Sequence, residues 1–461
     1  MTAPTGEAAP TETAPAPRPR PVRRALDDLG LVVTAEDIER IAATDPGWLA
    51  ADRRAAFEAF RTLPSEANRL YTPYIDLRPA ALGDSAVVTE RAAAGEAAPQ
   101  PDADAVVEIA EGRLASFSLS DVARAAGVTV RFLHDDLDAA RELLTRDGSL
   151  PEQDRFAQMT RAAWSQGILV DVPAGVQLEH PIVVRWALGE ADRALLSRTL
   201  IRLGEDAHAS VVEELMPSVA AATAARQAFF AGTTEVTLGA RATLSVASVQ
   251  ELPANLVVFQ HRTAAIGDGA ELHWALAQLG GRLVRSRVDN RLAGDHSSVE
   301  QVEIVFGGAD QLFDLTSYTT HVGRDTTGNL LSKGALLDKS RSYMKGLITI
   351  ERSAIGTDSY LGEFGMNLSK AARAVAIPSL EIDQPDCRRA AHSSSVGPID
   401  ETQLFYLESR GIPPDEARKF IVLGFLEPVV ARVPLADVQD RLRDLLEAKW
   451  ASGTVDSSAA A

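Results

Sequence analysis

The stretch from Pro378 to Ile412 carries the residues of this chain best equipped for chemistry: Cys387, its only cysteine, and His392, one of eight histidines. A thiolate and an imidazole both ligate transition metals. Lying five residues apart in one loop, they are compatible with two ligands to one metal, although two ligands do not close a site. Each residue also has a plainer use: a lone cysteine as a small buried apolar group, a lone histidine beside a helix start as a hydrogen-bonding side chain. The loop is read as joining the last strand of a sheet-rich core, ending at Ile382, to a helix N-capped at Asp400.

Other chemistry has little support. There is no Gly-x-Ser-x-Gly elbow for a nucleophilic serine. A Gly-x-x-x-x-Gly-Lys-Ser/Thr loop and a Gly-x-Gly-x-x-Gly turn are absent too, so the chain is not expected to hydrolyse ATP or to cradle a dinucleotide. Asp295-His296 and His321 fall in turn-like segments and read as residues without a role. Glu213-Glu214 reads as a solvated strand end.

The core that must position this loop runs from Ile168 to Ile382, in short runs of Val, Leu, Ile and Thr separated by small-residue turns. The turns recur around Gly204, Gly239, Gly267, Gly294 and Gly323, at intervals of 35, 28, 27 and 29 residues. Near-constant spacing predicts stacked coils, because one coil cannot bury its apolar row alone whereas a stack makes the row continuous. The region is therefore read as a β-solenoid, against the alternative of a β-sandwich or barrel built from hairpins.

Helices are expected on both sides of the core. Thr34–Asp37 forms a capping-box pattern with Ile38, Ile41 and Ala42 on one face, a second helix spans 50–62, and Ser118–Asp121 opens a further helical stretch after a short strand near 105–109. Beyond the core, Asp400–Gln403 and Pro413–Asp415 each start a helix, and a third carries Leu435, Val438, Leu442, Leu445 and Leu446 at helical spacing. The expected organisation is a disordered tail at 1–22, a mainly helical region at 23–150 with a linker at 82–105, the solenoid at 151–390, a helical region at 391–450 and a second tail at 451–461.

The charge balance, 46 basic against 64 acidic residues, argues against nucleic acid and against an anionic membrane surface as partners. No stretch approaches the roughly 20 apolar residues of a bilayer span. Residues 1–21 lack the apolar segment of a secretory signal, and a single cysteine leaves no disulfide framework, so a cytoplasmic location is expected.

Several segments carry a resemblance. Pro378-Ser379-Leu380-Glu381-Ile382, Val396-Gly397-Pro398-Ile399-Asp400, and Gln403-Leu404-Phe405-Tyr406-Leu407 followed by Ser409-Arg410-Gly411-Ile412 resemble the SufB/SufD family, whose members are scaffold subunits for iron–sulfur cluster assembly. The match continues through Ser332-Lys333-Gly334-Ala335-Leu336, Gly346-Leu347-Ile348 and Thr357-Asp358-Ser359-Tyr360, and reappears at Trp164-Ser165-Gln166-Gly167 and Val172-Pro173-Ala174-Gly175, so it covers roughly 150–430. It is closer to SufD, since the SufB type is expected to carry a further cysteine where this chain has Ala372.

The resemblance implies a right-handed parallel β-helix flanked by helical regions, and a subunit that is not an enzyme. It implies pairing with a SufB-like subunit, or with a second copy when isolated. It also implies docking of a SufC-like ABC ATPase on the C-terminal helices, where Leu404, Phe405, Leu407, Phe420 and Phe425 are the candidate contacts. Ala391-His392-Ser393 matches a histidine implicated in cluster assembly at the subunit interface; Cys387 is out of register with the family's cysteine. One cysteine cannot hold an iron–sulfur cluster that needs about four ligands, so a cluster here would be transient and shared with the partner. The competing readings are a secreted-type polysaccharide lyase or hydrolase on a parallel β-helix, which needs two carboxylates aligned in a groove, and a hexapeptide-repeat acyltransferase, whose six-residue period is missing.

Overall fold

The computed structural model describes residues 24–145, 150–433 and 436–453. Sixteen strands from Gln166 to Gly397 alternate between two sheets, and each pairs in parallel with the strand two places along the chain. This is a parallel β-solenoid of about eight coils, as the glycine spacing predicts, and a hairpin-built sandwich is excluded. One short 3₁₀ turn, Val219–Thr223, is inserted between the strands His208–Pro217 and Ala228–Leu238, which accounts for the longer first glycine interval.

Register is kept from coil to coil. One column runs Leu238, Ile266, Leu292, His321, Ile350, Ile382, each residue the Cα partner of the next. Immediately after it the recurrent glycines stack. A Cβ on Gly239 would lie 2.8 Å from the Glu205 amide nitrogen, one on Gly267 would lie 2.7 Å from the Leu238 carbonyl oxygen, and those on Gly294 and Gly323 would run into the backbone of the preceding coil. Glycine recurs here because two backbones meet with no room for a side chain.

The turns carry a second column. The amides of Gly175, Asp206, Arg241, Gly269, His296, Asp325 and Gly356 each donate to a carbonyl in the next coil, at 2.7–2.9 Å. All seven have positive φ, and the four that are not glycine sit between 53° and 59°. A left-handed conformation costs such a residue on the order of 1–2 kcal/mol, offset here by a hydrogen bond that only a following coil can accept.

The first coil is closed off. Strand Thr129–Phe132 pairs antiparallel with Gln166–Val172, and the antiparallel pair Ala105–Ala110 and Leu114–Leu119 extends the other sheet. The capping box at Thr34 is present. Helices Ala35–Ala42, Gly47–Thr62 and Arg155–Ala163 bury Ile38, Ile41, Phe57, Phe156 and Met159 against Leu196, Phe229 and Phe259 on the outside of the ten-stranded sheet. The 82–105 segment differs from a plain linker, since Ala86–Val87 pairs with Arg193–Ala194 within the ten-stranded sheet and Ala93–Glu96 pairs onto the edge of the other. Its Ala- and Gly-rich composition hides strands whose pairing comes from the neighbouring edge and not from their own propensity.

On the opposite sheet, helices Pro414–Val430 and Ala436–Ser452 bury Val422, Leu426, Val429, Leu442 and Leu446 against Ala275, Val302, Ile304 and Ala335. The last helix runs past the expected limit at 450; residues 1–22, Leu435 and 454–461 lie outside the described residues. The small side chains on the sheet let the helices lie close.

The glycine column makes a signed prediction. Gly267→Ala should destabilise the chain by about 1–3 kcal/mol, because the intruding atom meets rigid backbone, whereas Gly424→Ala, with nothing within 4 Å of the added atom, should stabilise its helix by about 0.5–1 kcal/mol. Urea denaturation of the two variants checks both signs.

Candidate functional site at the open end of the solenoid

Among the described residues no further strand caps the far end. The ten-stranded sheet stops at the strand Arg373–Ile382 and the eleven-stranded sheet at Arg389–Gly397, each with one edge unpaired. Ile382 and Val396, buried-type residues, are 46% and 39% exposed.

His392 lies in that last strand and not in a loop. Residues 389–397 pair without interruption with 358–366, which sets His392 opposite Leu361, Ser394 opposite Glu363 and Val396 opposite Gly365. One coil earlier those positions face the interior: Leu361 and Glu363 are buried, and a Cβ on Gly365 would lie 3.3 Å from Val396 Cγ2. Side chains alternate across a strand, so His392, Ser394 and Val396 occupy the interior face of a coil that nothing covers. The loop reading failed because Ala391-His392-Ser393-Ser394-Ser395 has little strand propensity, and the parallel edge beside it supplies what the sequence lacks.

Cys387 sits in the preceding turn, half-buried against an apolar cluster of Leu330, Ile348, Ile350, Ala354 and Leu361. Next to it, the Asp386 carbonyl accepts from Gly356, the last rung of the turn column. An extended chain rises about 3.3 Å per residue, so the three steps from Arg389 to His392 alone span roughly 10 Å. Cys387 thus lies in the turn and His392 on the strand that follows, with Leu361 of the preceding coil beside both. Among the described residues no three His, Cys, Asp or Glu side chains gather as a metal site.

Beneath His392 and Ser394 lies Glu363, which the sequence reading missed. It is 2% exposed, and its Oε2 accepts from the Ile377 amide at 2.8 Å. Burial pushes its pKa up to about 8, against the opposing pull of that amide and of Lys345. At neutral pH it is a largely protonated carboxylic acid at the mouth of the interior. Gly346 lets it fit: a Cβ there would be 2.9 Å from Glu363 Oε1.

Elsewhere the bland readings fare differently. His321 is buried, with Nδ1 2.8 Å from the Thr326 hydroxyl and Nε2 3.0 Å from that of Ser359, and burial pushes its pKa down to about 4, a structural neutral imidazole. Glu213 is not a solvated strand end. It lies inside the solenoid, accepting from Arg262 at 2.9 Å, Ser248 at 2.7 Å and Gln260 at 3.1 Å, because strand alternation turns it inward while Glu214 pairs outward with Arg185 and Arg441.

Of the candidate docking residues on the C-terminal helices, Phe405 is 71% and Phe420 56% exposed, and Tyr406 beside Phe405 is equally open. Leu404 and Leu407 are half-buried. Phe425 is already engaged: it packs on the solenoid cluster, Lys333 Nζ lies 4.7 Å over its ring, and the same ammonium donates to the Phe425 carbonyl at 2.7 Å.

The site is the end of a parallel β-solenoid with a histidine on the interior face of its last strand. Comparison with known proteins carries the assignment further. Residues 186–425 match the family model for the SUF system FeS cluster assembly SufBD core domain. The chain is 30% identical over 343 residues to the iron–sulfur cluster assembly protein SufD of Bacillus subtilis, covering 73% of this chain and 77% of that protein. SufBD-family iron–sulfur cluster assembly proteins of Mycobacterium tuberculosis and Mycobacterium leprae are 28% and 26% identical over 313 and 307 residues, each covering 65% of this chain and 75% and 76% of their own lengths. The chain belongs to the SufBD family of iron–sulfur cluster assembly proteins, and within it is most like SufD.

The buried acid predicts a pH dependence. A carboxyl whose pKa rises from 4.5 to about 8 on folding favours the folded state fully below pH 4.5, and that contribution is lost as the pH climbs through about 8. Wild-type stability should fall across this window by an amount on the order of a few kcal/mol, and Glu363→Gln, which keeps the neutral shape, should flatten the fall. Denaturation midpoints of both chains at pH 5, 6.5 and 8 measure it.

Proposed function

We propose that this chain is a non-enzymatic scaffold subunit of the SUF system. In this reading it pairs with a SufB-like subunit at the open end of the solenoid and carries a SufC-like ABC ATPase on its C-terminal helices. The observation that supports it most is that both sheets end on unpaired parallel edges at the same place, with His392 on the interior face between them. An unpaired edge is a template for another chain, and natural proteins cover or blunt such edges. A SufB-like chain is the cover that family membership suggests, and a second copy of this chain is the expected substitute in its absence.

The iron–sulfur cluster is cargo here, assembled transiently and shared with the partner. His392 contributes one imidazole nitrogen, and further ligands come from across the interface. Cys387, packed in an apolar turn and out of register with the family's cysteine, has a minor part. The ATPase docks on the exposed rings of Phe405, Tyr406 and Phe420, flanked by Leu404 and Leu407. Among the described residues no helix is long and apolar enough to cross a membrane, and a cytoplasmic site of action fits this reading.

Substitution tests the two surfaces separately. His392→Ala should change the stability of the isolated chain by less than about 0.5 kcal/mol, as exposed side chains usually do, and leave ATPase binding intact. Iron and sulfide in the anaerobically purified co-expressed complex should fall several-fold; wild-type loading would return His392 to a surface residue. The Phe405→Ala, Phe420→Ala double variant should lose ATPase binding by a factor of ten or more, in line with truncation of two aromatic anchors at about 1–2 kcal/mol or more each, while cluster-site pairing persists. Isothermal titration with the ATPase reads this directly. Substitution is preferable to deleting the helices, since Val422, Leu426 and Leu446 cover the sheet.

A further inference from the structure

Between the N-terminal helices and the strand at 86, residues 65–76 cross the outer face of the ten-stranded sheet as a strap that includes a 3₁₀ turn, Thr72–Tyr74. Its contacts move along the solenoid toward the open end. Glu66 pairs with Arg285 at 3.2 Å, and Arg285 in turn pairs with Asp314 at 2.7 Å. Asn68 donates to the Tyr318 hydroxyl at 3.5 Å, Tyr74 packs at a tilt against Tyr343 with ring centroids 5.8 Å apart, and Asp76 faces Arg341 at 3.8 Å. The anchor is Tyr71. Its ring is fully buried, its centroid is 6.2 Å from that of Tyr318, and its hydroxyl donates to the Gly346 carbonyl at 2.9 Å.

Gly346 belongs to the penultimate strand of that sheet, Arg341–Ile350, and is the Cα partner of Pro378 in the terminal strand. Ser379, the next residue of the terminal strand, has its side chain close enough to the Tyr71 hydroxyl to act on it. One buried hydroxyl thus touches the last two strands together. Beneath it Lys345 pairs with Asp314 and lies 5.7 Å over the Tyr71 ring, so the ionic row that joins strap to sheet continues to the anchor. Pro378 gives the terminal strand no amide at its centre to donate to a neighbour. A strand held on one side only has reason to need a tether from outside the sheet, and because the Arg373 and Asp383 amides donate to Ser340 and Ile350, alternation leaves the Pro378 gap on the open edge.

We infer that the strap, anchored by Tyr71, is a positioning element for the open end: it holds the terminal strand Arg373–Ile382 in place and so presents the edge on which a partner chain pairs. The second half of that statement rests on the proposed docking end; the first half does not. Tyr71 touches no cargo and acts only through the strands it ties together.

The two halves are tested by separate readouts on the full-length chain. Hydrogen exchange of the isolated chain should show strands 341–350 and 373–382 exchanging about five-fold faster in Tyr71→Phe than in wild type, the loss of roughly one hydrogen bond, with strands 243–250 and 271–278 of the other sheet unchanged. Ser379→Ala should reproduce a smaller change confined to 373–382. Unchanged exchange at both strands in Tyr71→Phe, or a uniform rise across all coils, would overturn the inference. Affinity for a SufB-like subunit should fall by a similar factor in Tyr71→Phe. Faster exchange with wild-type affinity would keep the tether and remove its role in docking, overturning the inference as stated. Wild-type pairing that leaves strand 373–382 unprotected would instead sink the docking end itself.

Discussion

Everything in this molecule follows from in-register parallel pairing between successive coils. A parallel strand cannot fold back on its neighbour through a tight turn, so each coil must cross to the other sheet and return, and the chain becomes a stack. The stack imposes a rule at every position. Where backbones meet at a corner only glycine fits, where the chain turns a left-handed residue must find a carbonyl in the next coil, and where side chains face inward they must satisfy one another. Gly267, His296 and Glu213 illustrate the three consequences, and none of them can be understood within a single coil.

The same rule creates the functional end. A solenoid has no natural stop, since its last coil offers the next one a full set of unpaired groups. At the first coil the chain supplies antiparallel strands that close the sheets. At the last, among the described residues, no further strand pairs with Arg373–Ile382 or Arg389–Gly397, and a histidine and a serine lie on the face a further coil would cover, with a buried carboxylic acid one coil beneath. Leaving that end bare is costly for a protein on its own, which supports the proposal that it is half of an interface. The helices on the two flanks then divide the remaining work. One set, with the strap, steadies the sheet from outside, and the other offers aromatic rings to solvent.

Much of this was legible in the residues. Recurrent Leu-Gly turns announced the coils because the glycine requirement is local and absolute. Capping patterns at Thr34 and Asp400 marked helix starts for the same reason. The family motifs clustered where the open end lies. What escaped were features fixed by neighbours distant in sequence. His392 becomes part of a strand only because residues 358–366 lie beside it, Glu213 turns inward by a parity set along the whole strand, and Phe425 is spent on Lys333, some ninety positions away. Glu363 gives no sequence signal at all, since a single acid in a Gly-rich strand looks solvated until a coil closes over it. The strap was hidden in a Pro- and Tyr-containing segment whose partners lie about 220 to 310 residues downstream.

The central claim is that the bare coil end is where a SufB-like chain attaches. The most direct measurement is hydrogen exchange of the wild-type chain with and without that subunit. The account predicts new protection concentrated in strands 373–382 and 389–397, with the first coil at 166–172 unaffected. Protection appearing on the first coil or on the N-terminal helices, with both terminal strands exchanging as in the free chain, would contradict it.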